Sequence, residues 1–296
     1  MKNAKFFSAA IVLVLYLFML PAVSFSREIP PIVSVDWLGK NISNPKIVIL
    51  DIRRVEDYGR GHIPGAVSAC YRVWACGTRE VSGLVRESLP PRDDLFEAIG
   101  EAGIRPESLV VIVCSASHCY YEVEGARVAC TLEYAGLKNI GILDGGFEEW
   151  ARQKKPVSTE FVKPKETTYK GTLNKAMLAD REYVKRNLGK AVFVDVREPL
   201  PGVKAAEGKR GIIPGSVNLP ITEAFTKSGT FKPVEELNAL AVKTVGEDKS
   251  KPIVTYCDSG RCCPTWAFLL REVLGYKNVR AYDGRLEEWS STGTPK

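Results

Sequence analysis

Five short motifs occur twice in this chain, in the same order. Ile49-Leu-Asp-Ile-Arg53 returns as Phe193-Val-Asp-Val-Arg197, and Gly61-His-Ile-Pro-Gly-Ala-Val67 as Gly211-Ile-Ile-Pro-Gly-Ser-Val217. Val110-Val-Ile-Val-Cys114 returns as Ile253-Val-Thr-Tyr-Cys257, and Gly136-Leu-Lys-Asn-Ile140 as Gly275-Tyr-Lys-Asn-Val279. Asp144-Gly-Gly-Phe-Glu-Glu-Trp150 returns as Asp283-Gly-Arg-Leu-Glu-Glu-Trp289. Ordered recurrence of this kind is a tandem duplication, and its period is too long for a solenoid repeat. The 296 residues are also enough for about two domains. The reading divides the chain into a first copy over 33–155, a linker over 156–175 rich in Lys, Pro and Thr, and a second copy over 176–296.

Inside each copy, short apolar runs alternate with helical patterns. Lys46-Ile-Val-Ile-Leu50 and Leu109-Val-Val-Ile-Val113 are continuous and rich in β-branched residues, which suits strands buried on both faces of a parallel sheet. Residues 93–103 start with two acids and stop at Gly103, the pattern of a helix. The fold class is therefore α/β, two tandem copies each with a mostly parallel sheet and helices on both faces. In such sheets the working site lies at the carboxyl ends of the strands, where Cys114 and Cys257 both fall.

Cys257 stands out. It ends an apolar run and opens Cys257-Asp-Ser-Gly-Arg-Cys-Cys263, a Gly-containing loop that leads into a helical segment from Pro264 to Leu274. Backbone N–H groups that converge in such a loop favour the thiolate, the nucleophilic form of cysteine. Gly260 lets the loop curl tightly, and Pro264 suits a first helical turn because its missing N–H has no partner there anyway.

Residues 2–5 are basic, 6–20 almost wholly apolar, and Pro21 to Ser26 small-residue-rich, so residues 1–26 read as a secretory signal peptide. The mature protein is then expected to be exported, periplasmic or extracellular, and not stably inserted in the membrane. The net charge of +6 is mild, and the basic residues are scattered, which argues against a nucleic-acid partner. The clusters at 152–155 and 163–165 read as solvated linker. Among eight cysteines, Cys70 and Cys76 invite a disulfide, as do Cys114 and Cys119, and Cys130 reads as core. The chain has two histidines, His62 and His118, and no Cys-x-x-Cys spacing, so no metal and no cofactor is expected.

The Asp-x-Arg strand end, the Gly-His-Ile-Pro-Gly turn, the Cys-x-x-Gly loop and the Asp-Gly-Gly-x-x-x-Trp element together resemble the tandem-domain rhodanese-like sulfurtransferases, the thiosulfate/3-mercaptopyruvate sulfurtransferase family. The resemblance covers nearly all of the chain after residue 32. It implies an enzyme whose second copy carries the catalytic residue, Cys257, and whose first copy is non-catalytic. It implies a small-molecule sulfane-sulfur donor, a thiol or cyanide acceptor, a protein acceptor as a further partner, and a cysteine persulfide between them. Asp258, Ser259, Gly260, Arg261 and Cys262 would form the substrate loop, with Arg197 facing the site and Asp195 supporting it.

Two departures set this chain apart. Glu198-Pro-Leu-Pro201 lacks the cation found there in thiosulfate enzymes of the family, leaving Lys204, Lys209 and Arg210 as substitutes, and Asp258 places an acid in the loop that would repel anionic donors. Cys262 sits where a small residue would serve, and either fills that place or accepts sulfur from Cys257. The first copy carries four more residues between Cys114 and Asp144 than the second carries between Cys257 and Asp283, which reads as a longer loop. A phosphatase loop needs arginine six residues after its cysteine; that position holds Tyr120 or Cys263, which excludes the phosphate clamp. A non-enzymatic persulfide carrier and an exported thiol–disulfide protein remain as alternatives.

Overall fold

The computed structural model describes residues 27–79, 85–116, 119–199, 211–283 and 286. The leader at 1–26, His118, the side chain of Cys119, and the candidate cations Lys204, Lys209 and Arg210 lie outside the described residues.

The first copy runs β1 (Ile32–Val33), α1 (Val35–Asn41), β2 (Ile47–Asp51), α2 (Val55–Arg60), β3 (Val67–Ser68), the hairpin β4 (Cys76–Arg79) and β5 (Val85–Ser88), α3 (Arg92–Glu101), β6 (Leu109–Val113), α4 (Cys119–Tyr134), β7 (Ile140–Leu143) and α5 (Gly146–Arg152). The second runs β8 (Leu178–Ala179), α6 (Arg181–Asn187), β9 (Val192–Asp195), β10 (Val217–Asn218), α7 (Val234–Val245), β11 (Ile253–Tyr256), α8 (Cys263–Phe268), a π-helical stretch Leu269–Val273, and β12 (Val279–Tyr282). The sheet orders are β1-β7-β6-β2-β3 and β8-β12-β11-β9-β10, with every pair parallel. The two orders are equivalent, so the duplication seen in the sequence is a duplication of topology. Every residue of β6 is buried, as its unbroken apolar run requires. The acidic start at Asp93 and Asp94 opens α3, and Gly103 takes φ +72° just past its end.

The four residues by which the first copy is longer do not enlarge its loop. Helix α4 starts five residues after Cys114, and α8 six after Cys257. The extra length is helix: α4 has 16 residues, whereas α8 and the π stretch together span Cys263 to Val273.

One apolar cluster runs through both copies, taking in Val123, Ala126 and Cys130 of α4 and Trp266 and Ala267 of α8. Buried tryptophans keep their indole N–H groups satisfied: Trp74 donates to the Ala69 carbonyl at 3.0 Å and Trp150 to Pro156 at 2.7 Å. Polar contacts tie the copies as well. Asp144 accepts from the Phe231 amide at 2.8 Å, and the partly buried Arg271 donates to Glu133 at 2.7 Å. Cys130 is buried as expected, yet it receives a bond from Arg271 at 3.4 Å.

The basic clusters are solvated as expected, with Arg152, Lys154, Lys163 and Lys165 exposed, but the linker backbone is tied to the first copy. The Thr167 amide donates to Gly100 at 2.9 Å, Tyr169 is buried and donates to the Ala135 carbonyl at 3.0 Å, and the Asn174 amide donates to Tyr134 at 2.7 Å. His62 is packed here too, stacked on Tyr58 and bonded to the Tyr58 and Glu160 carbonyls. Its role is structural. Among the described residues, no helix is long and apolar enough to cross a membrane.

Candidate active site

Strand β11 is the central strand of the second sheet, and Cys257 follows its last residue. The Val196 amide donates to the Tyr256 carbonyl at 3.1 Å, and Thr255 Oγ1 donates to the Cys263 carbonyl at 2.9 Å. The second bond pins the far end of the loop to the strand that begins it. Gly260 takes φ +81°, which lets the chain reverse between these two anchors.

The reversal closes the loop over one sulfur. The Cys263 amide donates to Cys257 Sγ at 3.4 Å. The thiols of Cys262 and Cys263 also donate to it, and with the backbone N–H groups of both residues they outweigh burial and hold the Cys257 thiol well below its ordinary pKa. The donors show the opposite shift: sharing their protons with Cys257, and being buried, raises both Cys262 and Cys263. Cys257 itself is 7% exposed. Among the described residues, the donors that lower the Cys257 thiol are the sulfur and nitrogen groups of Cys262 and Cys263.

The remaining predicted residues fall into two groups, one on the second copy and one facing the first. Asp195 and Arg197 form a close ion pair, Nη2 to Oδ2 at 2.6 Å, and Arg197 also bonds to the Gly211 carbonyl at 3.0 Å. The turn at Gly211 thus positions the pair as well as packing. Arg197 Nη1 reaches Asp258 Oδ1 at 2.7 Å. The acid in the loop, expected to repel anionic donors, is therefore met by a guanidinium. The equivalent pair in the first copy, Asp51 and Arg53, lies deeper and closes on Gly61.

Ser259 and Arg261 face the other copy. The Ser259 carbonyl accepts from the Glu87 amide at 2.9 Å, so hairpin β4–β5 of the first copy is hydrogen-bonded to the cysteine loop of the second. Arg261 donates to Glu124 on α4, lies 3.8 Å from a Glu87 oxygen, and stands over the Tyr71 ring at 5.4 Å. It is a half-buried bridge between the two copies. Burial pushes the Glu124 carboxyl up to about 7, against the pull of Arg261. Glu87 is raised by burial too, and bonds to the Tyr71 hydroxyl.

Between the copies lies a cavity of about 1240 Å³. The first copy lines it with residues including Arg53, Arg54 and Phe147, and the second with Ser259, Arg261 and Cys262. Cys70 also lines it, and both Cys70 and Cys76 are free thiols, so the disulfide between them does not form. In the first copy the Cys114 carbonyl accepts from the Phe147 amide at 3.0 Å, and a side chain at Gly146 would come within 2.2 Å of that oxygen. The segment after Cys114 is packed from behind by α5.

Sequence reasoning missed Glu87, Glu124, Tyr71 and the donor role of Cys263. The first three sit more than a hundred residues from the loop, with no spacing signal to mark them. Cys263 was in view, but only the folded loop turns its thiol toward Cys257.

A parallel α/β sheet built twice, with a thiolate loop at the end of the central strand in one copy, places this chain in the class of tandem-domain thiol enzymes with the rhodanese fold. The chain belongs to the rhodanese-like family: the model of the rhodanese-like domain matches residues 34–153 and 180–292. A thiosulfate sulfurtransferase of Azotobacter vinelandii is 29% identical over 89% of this chain and 95% of its own length. The sulfur carrier protein TtuD of Thermus thermophilus is 30% identical over 89% of this chain and 95% of its own. SseA of Escherichia coli, a 3-mercaptopyruvate sulfurtransferase, superposes with a TM-score of 0.71 at 25% identity, over 86% of this chain and 98% of SseA. The chain is a sulfurtransferase-type enzyme.

Proposed function

We propose that this protein moves a sulfane sulfur from thiosulfate or a related donor to a thiophilic acceptor through a persulfide on Cys257. The observation that carries this reading is the convergence of thiol and amide donors from Cys262 and Cys263 on one sulfur. In the first half-reaction, the Cys257 thiolate attacks the outer sulfur of the donor. A new S–S bond forms, the donor's own S–S bond breaks, and with thiosulfate the bond pair leaves on sulfite. The negative charge passes to the outer sulfur of the persulfide, which the donors of the same loop stabilise. In the second half-reaction, a thiol or cyanide takes that sulfur and returns the thiolate, so the kinetics are ping-pong. Arg197 holds Asp258 and the loop in place; Arg261 attracts an anionic donor to the extent that Glu124 and Glu87 leave its charge unbalanced.

The test mixes purified protein with thiosulfate and cyanide and measures thiocyanate, with intact mass reporting an adduct one sulfur atom heavier. The adduct is expected in the parent and lost in Cys257→Ser. Absence of any adduct with thiosulfate, polysulfide or mercaptopyruvate sinks the reading. An adduct without turnover favours a carrier that hands sulfur to a protein acceptor, a role supported by the likeness to TtuD. We also propose export, on the strength of residues 1–26; cell fractionation and the N-terminal residue of the mature chain test it.

A further inference from the structure

Cys257 and the cavity between the copies do not meet directly. Among the described residues that line the cavity, the loop supplies Ser259, Arg261 and Cys262, and Cys257 is not one of them. Cys257 is buried behind the loop, whereas Cys262 is only partly buried. The two sulfurs share a hydrogen bond. A small nucleophile such as cyanide is compact enough to thread to a buried sulfur. A thiol of tripeptide size fits the cavity and there meets Cys262 first.

From this placement we propose that Cys262 is a second catalytic thiol, which takes the sulfur from the Cys257 persulfide and presents it to a thiol acceptor bound in the interdomain cavity. The proposal rests on the Cys257 persulfide reading. Cys262 Sγ attacks the outer sulfur of Cys257–S–S⁻. The bond from that sulfur to Cys262 forms as its bond to Cys257 breaks, and the bond pair stays on Cys257. The Cys262 proton moves to the departing Cys257 sulfur along the hydrogen bond they share. The pair holds one proton and one negative charge before and after, and no oxidant or reductant takes part. Cys257 leaves readily because the Cys263 thiol and the two loop amides stabilise the charge that builds on it before the proton arrives. The acceptor thiolate then attacks the outer sulfur on Cys262 and departs as a persulfide; the Cys262 thiolate takes its proton back from Cys257, which regenerates the Cys257 thiolate.

The cavity lining carries both signs, with six arginines against the four acids Asp57, Glu87, Glu124 and Glu148. Arg53 is held by Asp51, but Arg72, on the rim, has a largely exposed side chain near Glu124. An acceptor with carboxylates flanking its thiol, such as glutathione, gains contacts there that cyanide cannot use. Arg261 and Cys262 are adjacent in sequence, so the bridge from Arg261 to Glu124 also fixes the backbone that carries the relay thiol at the cavity wall.

The full-length protein is loaded with thiosulfate, alkylated, and cut with trypsin, which cleaves after Arg261 and so separates Cys257 from Cys262. Sulfur is expected on both peptides. In Cys262→Ser, which keeps a hydrogen-bond donor but cannot carry sulfur, it is expected on the Cys257 peptide alone. The rate with glutathione relative to that with cyanide should fall about tenfold in this variant, equivalent to about 1.4 kcal/mol. Cys262→Thr should behave in the same way. Using the ratio removes any common loss from a disturbed loop. Sulfur confined to the Cys257 peptide of the parent, or an unchanged ratio, overturns the relay and leaves the Cys257 reading intact. So does a Cys257–Cys262 disulfide formed with loss of sulfide, since attack then falls on the inner sulfur. No sulfur on either peptide overturns both.

Discussion

Arg261, in the cysteine loop of the second copy, donates a hydrogen bond to Glu124, on the helix that follows Cys114 in the first. The bond joins the helix that follows Cys114 to the loop of the proposed nucleophile. It also gives the interface a titratable group in the physiological range. Glu124 is raised from 4.5 to about 7. A carboxyl raised on folding keeps a proton that the unfolded chain has released. Its contribution to stability is full below about pH 4.5 and is lost as pH rises through about 7. Glu133, also raised to about 7 by burial, acts in the same direction. Thermal melts over that range should show a falling midpoint. Glu124→Gln should flatten the fall in part, and Glu124→Gln with Glu133→Gln should flatten most of it. A slope untouched by either substitution would place the titration elsewhere.

The Cys257 thiol should alkylate with a pH midpoint below the ordinary thiol value of 9.0, because the loop donors hold it down. Cys262→Ala and Cys263→Ala each remove a donor, and each should move the midpoint upward. Iodoacetamide rates across pH give the values directly. An unmoved midpoint in both variants would mean that the backbone amides alone set it.

The Asp-x-Arg pairs should differ in what their loss does. The Asp51 side chain is fully buried against Arg53, so Asp51→Ala strands a buried guanidinium and should cost about 3–5 kcal/mol. Asp195 is 15% exposed and Arg197 keeps Asp258, so Asp195→Ala should cost less. Denaturant melts of the two variants test the order. Thiocyanate formation should show the reverse, with the larger loss in Asp195→Ala.

Gly260→Ala should damage both the loop and the contact between the copies. An alanine at φ +81° costs about 1–3 kcal/mol in backbone strain. Its Cβ would also stand 3.1 Å from the Glu87 carbonyl oxygen. The alkylation midpoint of Cys257 should rise as the loop opens. Wild-type stability with a wild-type midpoint would show that the turn tolerates a side chain.

What could be read from the chain follows the range over which each signal acts. Strands β2 and β6 and helix α3 were visible because their patterns are local and complete within a few residues. The loop at Cys257 was visible because a strand end, a glycine and a helix-opening proline stand together. The pairing of Asp258 with Arg197 spans the sheet, and neither residue's neighbours point to the other. Glu124 sits in a helical run with Glu122 two residues before it, where acids read as a solvated face; its pairing with Arg261 of the second copy has no local signal. The linker has no period, so its fixed course along Gly100, Ala135 and Tyr134 was beyond reach.

The bond from the Glu87 amide to the Ser259 carbonyl has a consequence for how this duplication can be dismantled. Part of the scaffold for the reactive loop is encoded upstream, in the hairpin of the other half. A gene fragment carrying only the second half would contain the nucleophile without the strand that steadies it. On the proposed reading, separating the halves removes a hydrogen bond that holds the reactive loop, so the two halves are coupled through that strand.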